Sequence, residues 1–309
     1  MKVGFIGLGT MGAGIALNAI KGGFSLTVHD LNREAASRHL EAGATWADSP
    51  QAVASAVDVV FTSLPGPIEM EAVALGDQGL IHGLKPGSAY FDLSTNSPTV
   101  VRRVHAVMTE KQIDLLDAPV SGGPAGANSG KLAIWVGGRR ETFDKFRPVL
   151  DSMSDQPFYV GDIGTGSVAK LVHNCSGYVI QAALAETFTM GVKAGVDPEA
   201  LFRAVRHGVS GRRRTFDGLA KHFLRGTYDP ADFALALARK DVRLSVEVGR
   251  EFDVPMRLAS LTYEEMTEAQ NRGWAARDSR SAMLLQLERA GVDVSVDPDV
   301  LDAILNEDP

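Results

Sequence analysis

Lys170 and Asn174 stand four residues apart in Gly164-Thr-Gly-Ser-Val-Ala-Lys-Leu-Val-His-Asn174. In a helix that spacing puts both on one face. An ammonium and a carboxamide together can hold an alcohol or carbonyl oxygen, with the lysine passing a proton as hydride moves. Burial on an apolar helix would bring the lysine pKa down toward the working range. Spacing alone leaves a second reading open, a lysine that snorkels out of a buried helix or pairs with a nearby acid.

Hydride chemistry needs a carrier, and the first thirty residues contain a site for one. Lys2-Val-Gly-Phe-Ile reads as a strand, Gly7-x-Gly9-x-x-Gly12 as a glycine-rich turn opening a helix, and Leu26-Thr-Val-His-Asp30 as a second strand ending in an acid. The first glycine permits the tight turn, the second lets a pyrophosphate approach the backbone, and the third lets helix pack on strand. The phosphates then meet the free N–H groups of the new helix. Asp30 can accept hydrogen bonds from an adenosine ribose, and it would repel a 2′-phosphate. Gly7, Gly9, Thr10, Met11, Gly12 and Asp30 are therefore the cofactor candidates, with NAD favoured. Arg33, close behind Asp30, keeps NADP open.

These residues need a scaffold. From residue 1 to 163, short apolar runs alternate with amphipathic stretches, as in a doubly wound parallel sheet. Val57–Ser63, Ala89–Asp92, Ile113–Asp117 and Leu132–Val136 read as further strands. The loops after them carry Leu64-Pro65-Gly66, Leu93-Ser94-Thr95 and Ala118-Pro-Val-Ser-Gly-Gly123, at the sheet edge where ligands bind. Leu64 and Pro65 join the cofactor candidates. Ser121, Gly122 and Gly123 expose successive N–H groups that can form an anion-binding concavity. The plainer reading is a turn that needs positive φ at a glycine.

The pattern changes after Gly164. Residues 165–194 read as one long helix, apolar almost all round, broken by Lys170, His173, Asn174, Gln181 and Glu186 at a cost too high for a lipid-facing span. It reads as a spine between the dinucleotide-binding Rossmann domain and an all-helical domain, the second domain being 164–309. Helix starts are expected at Asp197-Pro198, Asp229-Pro230 and Asp297-Pro298.

Four motifs in order, Phe5–Gly12, Asp117–Gly123, Gly164–Asn174 and Phe233–Asp241, make the chain resemble the β-hydroxyacid dehydrogenases over nearly its whole length. The resemblance implies an oxidoreductase that interconverts a 3-hydroxy acid and its semialdehyde. It implies Lys170 as general acid/base, Asn174 orienting the substrate, and Ser121, Gly122 and Gly123 gripping the substrate carboxylate. Thr95 would lie near the nicotinamide, and Lys240 would reach the cofactor from the helical domain. Tartronate semialdehyde and aldehyde acids with a second anion are alternative substrates. Imine reductases resemble this fold too, but usually carry another residue where Lys170 stands. A non-catalytic nucleotide-binding protein would be expected to lack the lysine.

His173 is read as facing away from Lys170, packed or at an interface, and Cys175 as core filler. Arg212-Arg213-Arg214 is either a solvated basic turn or intersubunit contact, or supplies one arginine to a second anionic group on the substrate. Trp274, Asp278 and Ser279 are assigned to helix packing or subunit contact. His, Cys, Asp and Glu show no ligand-like spacing, so no catalytic metal is expected. A net charge of -7 gives no field for nucleic acid or an anionic membrane surface. With one cysteine and a core strand starting at residue 2, the expectation is cytoplasmic residence. A largely buried spine suggests a homo-oligomer, a dimer or tetramer.

Overall fold

The computed structural model describes residues 1–173, 180, 191, 194–196, 222–232, 234–236, 238–239, 242–243, 246, 250, 253–291 and 295–306. The chain divides into two compact units, Met1–Ser176 and Gly177–Pro309.

The first unit is built on one sheet. Its strands are β1 (Lys2–Ile6), β2 (Ser25–His29), β3 (Thr45–Trp46), β4 (Val59–Thr62), β5 (Ala89–Asp92), β6 (Asp114–Asp117), β7 (Val120–Ser121), β8 (Ala133–Gly137) and β9 (Gln156–Gly161). The order β3-β2-β1-β4-β5-β6 is that of the doubly wound nucleotide-binding fold, and all five pairings in it are parallel. The order reverses between β1 and β4, so the crevice for a ligand opens at the ends of these two strands.

Alternation along the strands feeds two cores. Phe5, Phe61, Phe91 and Leu116 point to one face, where Ile15, Ala16 and Ala19 of α1 (Gly12–Lys21) meet Phe143, Phe146 and Val149 of the helix Arg140–Met153. Ile6, Val60, Tyr90 and Leu115 point to the other, under Val53, Met70 and Val101 from the helices Pro50–Ala56, Pro67–Leu75 and Pro98–Glu110. Each such side chain contributes roughly 1.5–3 kcal/mol of burial. Helices on both faces explain why the central strands are apolar throughout.

The sheet departs from the expected parallel pattern beyond β6. Strand β8 runs antiparallel to both β6 and β7, then pairs in parallel with β9. The link from β7 to β8 is the short helix Gly123–Ser129, too brief a connection for a parallel crossover. Strand β9 was not foreseen, because Pro157 and the exposed Phe158 give it the pattern of an edge.

In the second unit the described helices are Arg257–Ala269, Leu284–Ala290 and Pro298–Asn306. Leu235, Ala269 and Leu285 form a small core with Trp274 packed against it. Asp297 starts the last helix as expected, its carboxylate accepting the Asp299 N–H at 2.8 Å. Asp229-Pro230 does not: it is a cis peptide in a bend, with no helix following directly. Asp197-Pro198 lies outside the described residues, as does most of the expected spine beyond 173. Among the described residues no helix is long and apolar enough to cross a membrane.

Candidate active site

The turn after β1 is as tight as its glycines demand. Gly7 has φ +90°, and a Cβ there would sit 2.3 Å from the Ser63 carbonyl oxygen at the end of β4. A Cβ on Gly12 would lie 1.9 Å from the Gly7 oxygen, whereas one on Gly9 would meet nothing within 4 Å. The cradle is thus closed by the first and third glycines and open above the second, which fits a pyrophosphate laid on the backbone. A cavity of about 610 Å³ follows it, lined by Gly7, Gly9, Thr10, Met11, Gly12, Asp30, Leu64 and Pro65 among others. Eight of the ten predicted cofactor residues are gathered there.

Asp30 is fixed before any ligand arrives. One carboxylate oxygen accepts the Leu8 N–H at 2.7 Å and the other the Asn32 N–H at 2.8 Å. The charge stays at the end of β2 on the cavity wall. Arg33 turns to Trp46, with its guanidinium carbon 5.4 Å from the ring centre.

Thr95 is exposed on the loop after β5, outside the cavity lining, between the buried Ser94 and Asn96. Both neighbours are pinned to the buried Asp92 carboxylate, Ser94 Oγ at 2.6 Å and Asn96 Nδ2 at 2.9 Å.

Ser121 closes β7, and Gly122 and Gly123 follow with φ +139° and +62°. A Cβ on Gly122 would strike Leu132 Cδ2 at 2.8 Å and the Lys131 oxygen at 2.9 Å, while one on Gly123 would project into open space. Positive φ and an accessible backbone therefore coexist at this turn. Ser121 pairs with Ala133 of β8, two residues before Trp135. Ala133 and Trp135 share a face of that strand.

The helix that carries Lys170 is described over residues 165–173. Its start is capped from a distance: the Asp117 carboxylate accepts the Gly164 N–H at 2.7 Å and the Ser167 N–H at 2.5 Å. A carboxylate on these donors also complements the positive end of the helix dipole. Burial pushes the Asp117 carboxyl up, and these backbone hydrogen bonds pull it part of the way back. Gly166 sits so close to the sheet that a Cβ would lie 2.3 Å from the Trp135 oxygen.

Lys170 follows about one turn later. It is 8 % exposed, and its Nζ lies 5.9 Å from the Trp135 ring centre. Among the described residues it has neither an acid nor a hydrogen-bond partner. Burial holds the ammonium below the ordinary lysine range. A buried cation is costly to hold, and no acid among the described residues offsets that cost.

His173 does not face away as expected. Its ring lies 5.1 Å from the same Trp135, because a step of three residues returns a side chain to nearly the same helix face. Asn174, Cys175, Arg212, Arg213, Arg214 and Lys240 lie outside the described residues.

Sequence reasoning missed Asp92, Asp117 and Trp135. An acid closing an apolar strand was the available signal for the first two, since a buried carboxylate must be hydrogen-bonded. It also missed a cluster in the second unit. His222 Nε2 lies 3.0 Å from Asp232 Oδ2 and 3.5 Å from Asp278 Oδ2, its Nδ1 facing the Thr227 oxygen at 2.8 Å. Asp278 also accepts the Asp232 and Arg280 N–H groups, so it ties the 228–232 segment to the turn at 278–283. That agrees with a packing role.

The family model described as the NAD binding domain of 6-phosphogluconate dehydrogenase matches residues 2–161. The one described as NAD-binding of NADP-dependent 3-hydroxyisobutyrate dehydrogenase matches residues 164–287. The chain is similar to a 2-(hydroxymethyl)glutarate dehydrogenase of Eubacterium barkeri, 34% identical over 96% of this chain and 98% of the relative. It is similar to an NAD-dependent L-serine dehydrogenase of Pseudomonas aeruginosa, 33% identical over 90% of this chain and 95% of the relative. Among solved structures, a 3-hydroxyisobutyrate dehydrogenase of Mycobacterium tuberculosis with L-serine is 29% identical with a TM-score of 0.64, covering 92% of this chain and 98% of that one. An imine reductase of Bacillus cereus reaches a TM-score of 0.78 at 18% identity, covering 92% and 98%, which is a likeness of fold.

Proposed function

The chain belongs to the β-hydroxyacid dehydrogenase family, and from that premise we propose that it is an NAD(P)-dependent dehydrogenase interconverting a 3-hydroxy acid and its semialdehyde. NAD is the preferred cofactor, held by Gly7, Gly9, Thr10, Met11, Gly12, Asp30, Leu64 and Pro65, with Thr95 beside the nicotinamide and Lys240 as a further contact. When bound, the nicotinamide supplies the hydride acceptor. Ser121, Gly122 and Gly123 donate backbone hydrogen bonds to the substrate carboxylate. Asn174 orients the hydroxyl, and neutral Lys170 takes the hydroxyl proton onto Nζ in oxidation or returns it in reduction.

The observation that carries this reading is Lys170: buried, with no acid partner among the described residues, its pKa lowered by burial, and over the strand whose Ala133 pairs with Ser121. A lysine so placed gives up its proton more readily than an exposed one. The fixed Asp30 carboxylate supports NAD over NADP, and Arg33 packed on Trp46 leaves that preference unopposed. The test is a panel of 3-hydroxy acids run with both cofactors and reported as kcat/KM. It is expected to show turnover of at least one with NAD at least roughly tenfold better than with NADP; no turnover with either cofactor would overturn the proposal.

The panel includes dicarboxylic 3-hydroxy acids for a specific reason. The Eubacterium barkeri relative is named for a dicarboxylate, and Arg212, Arg213 and Arg214 offer guanidinium groups that could pair with a second anion. Cytoplasmic residence and a homo-oligomeric assembly complete the proposal, the second checked by sedimentation.

A further inference from the structure

Asp92 ends β5 and is 1 % exposed. One carboxylate oxygen accepts Thr62 Oγ1 at 2.8 Å, the Ser94 N–H at 3.2 Å and Ser94 Oγ at 2.6 Å. The other accepts Asn96 Nδ2 at 2.9 Å. The directions of these bonds are set by the partners' other contacts. Ser94 Oγ accepts the Leu64 N–H at 2.9 Å, so its proton is left for Asp92. Asn96 Oδ1 accepts the Ser97 N–H at 2.8 Å, so its amide nitrogen faces the carboxylate. Backbone bonds extend the junction, from Leu93 N–H to the Thr62 oxygen and from Ala118 N–H to the Asp92 oxygen, both at 2.8 Å.

One carboxylate thereby joins the loop after β4, which carries Leu64 and Pro65, to the loop after β5, which carries Thr95. No cation faces it among the described residues; neutral donors alone satisfy it. Such a network defines a single arrangement, because each donor removed leaves a buried acceptor short. Burial pushes the Asp92 carboxyl up while Ser94, Asn96 and Thr62 hold it down. Thr95 itself touches none of this. It is held out, exposed, by pinned neighbours on either side.

We propose that Asp92 is a positioning residue of the cofactor site, fixing against each other the Leu64 loop, which lines one cavity with the glycine turn and Asp30, and the Thr95 loop, proposed to lie beside the nicotinamide. This rests on the cofactor reading above. It assigns Asp92 no contact with substrate or cofactor. Its effect passes through Ser94 and Asn96.

The experiment compares binding of NADH with binding of ADP-ribose, which lacks the nicotinamide, in the full-length chain and two variants. Asp92→Asn sets an amide group against the Asn96 amide, and Asn96→Ala removes the pin on the Thr95 side alone. Both are expected to weaken NADH by roughly tenfold, the equivalent of one hydrogen bond to a charged group. For Asn96→Ala, which acts on the Thr95 side alone, ADP-ribose is expected to bind within about twofold of wild type, which also shows that this variant has folded. Turnover should fall more than the substrate KM rises. Equal weakening of both ligands in Asn96→Ala, or NADH binding unchanged in both variants, overturns the proposal. Failure of the wild-type chain to bind either ligand would instead overturn the cofactor reading itself.

Discussion

Lys170, on the helix that starts at residue 165, and Trp135 of β8 face each other, the ammonium nitrogen 5.9 Å from the indole ring centre. The negative face of the ring is the one favourable partner that the described structure gives this cation. Burial works in the opposite direction and lowers its pKa. Two opposed influences therefore set the protonation of one amine.

The balance is measurable. If neutral Lys170 accepts the hydroxyl proton, kcat/KM for oxidation rises with pH through the lysine pKa. Trp135→Leu keeps apolar bulk but removes the π face, so the rising limb is expected to move down by about half to one and a half pH units. Trp135→Phe should move it less. A limb that stays put in Trp135→Leu, or moves up, would contradict this account of the lysine's environment.

The same burial has a thermodynamic cost. The Lys170 pKa is lower in the folded chain than in the unfolded one, so the unfolded chain binds more protons between the two values. The cost is full below the folded pKa and is relieved as pH rises to the ordinary lysine range. Lys170→Met is therefore expected to stabilise the protein at neutral pH by about 1–3 kcal/mol. The gain should shrink toward alkaline pH. Denaturant unfolding at several pH values reads both, and a destabilised variant would contradict the cost assigned to burying this ammonium.

Asp117 caps the helix that carries this lysine through the N–H groups of Gly164 and Ser167. Asp117→Asn sets an amide NH2 against one of those donors and is expected to cost about 1–2 kcal/mol. Because the disturbed turn leads into Lys170, kcat should fall while the affinity for NADH stays near wild type. Loss of stability without loss of kcat would make the cap purely structural.

Gly122 and Gly123 separate two uses of glycine in one turn. Gly122→Ala meets Leu132 and the Lys131 carbonyl at φ +139°, so it should lower stability by at least about 1 kcal/mol. Gly123→Ala meets no atom, and its φ of +62° costs about 1–2 kcal/mol at most. Its methyl enters the open space proposed for the substrate carboxylate, so substrate KM should rise well beyond what the strain explains. Unchanged KM in Gly123→Ala would remove the carboxylate from this turn.

Much of the cofactor half was legible because local rules dictate it. Gly12 answers to Gly7 and Phe5 within its own βαβ unit, Gly7 marks the turn although its closest neighbour is Ser63 at the end of β4, and Asp30 follows the next strand, so spacing pointed to all three. Lys170 was visible by its spacing, but its contact with the Trp135 ring was not, since that depends on β8. Asp92 and Asp117 were harder still. Their partners are two to fifty residues away, and only the parallel order of β4, β5 and β6 gathers them at one edge. The antiparallel β8 was missed because Leu132–Val136 reads the same in either direction. His222, Asp232 and Asp278 show the same limit in the second unit, where a cluster forms from residues up to 56 positions apart with no periodic signal.

The role of Lys170 is decided by Lys170→Met assayed beside wild type for oxidation of the best 3-hydroxy acid with NAD, with NADH affinity measured on the same samples. Loss of the proton acceptor is expected to cut kcat by roughly 10²–10⁴-fold with NADH affinity within about twofold. A variant that keeps turnover within about tenfold of wild type would contradict the role given to Lys170.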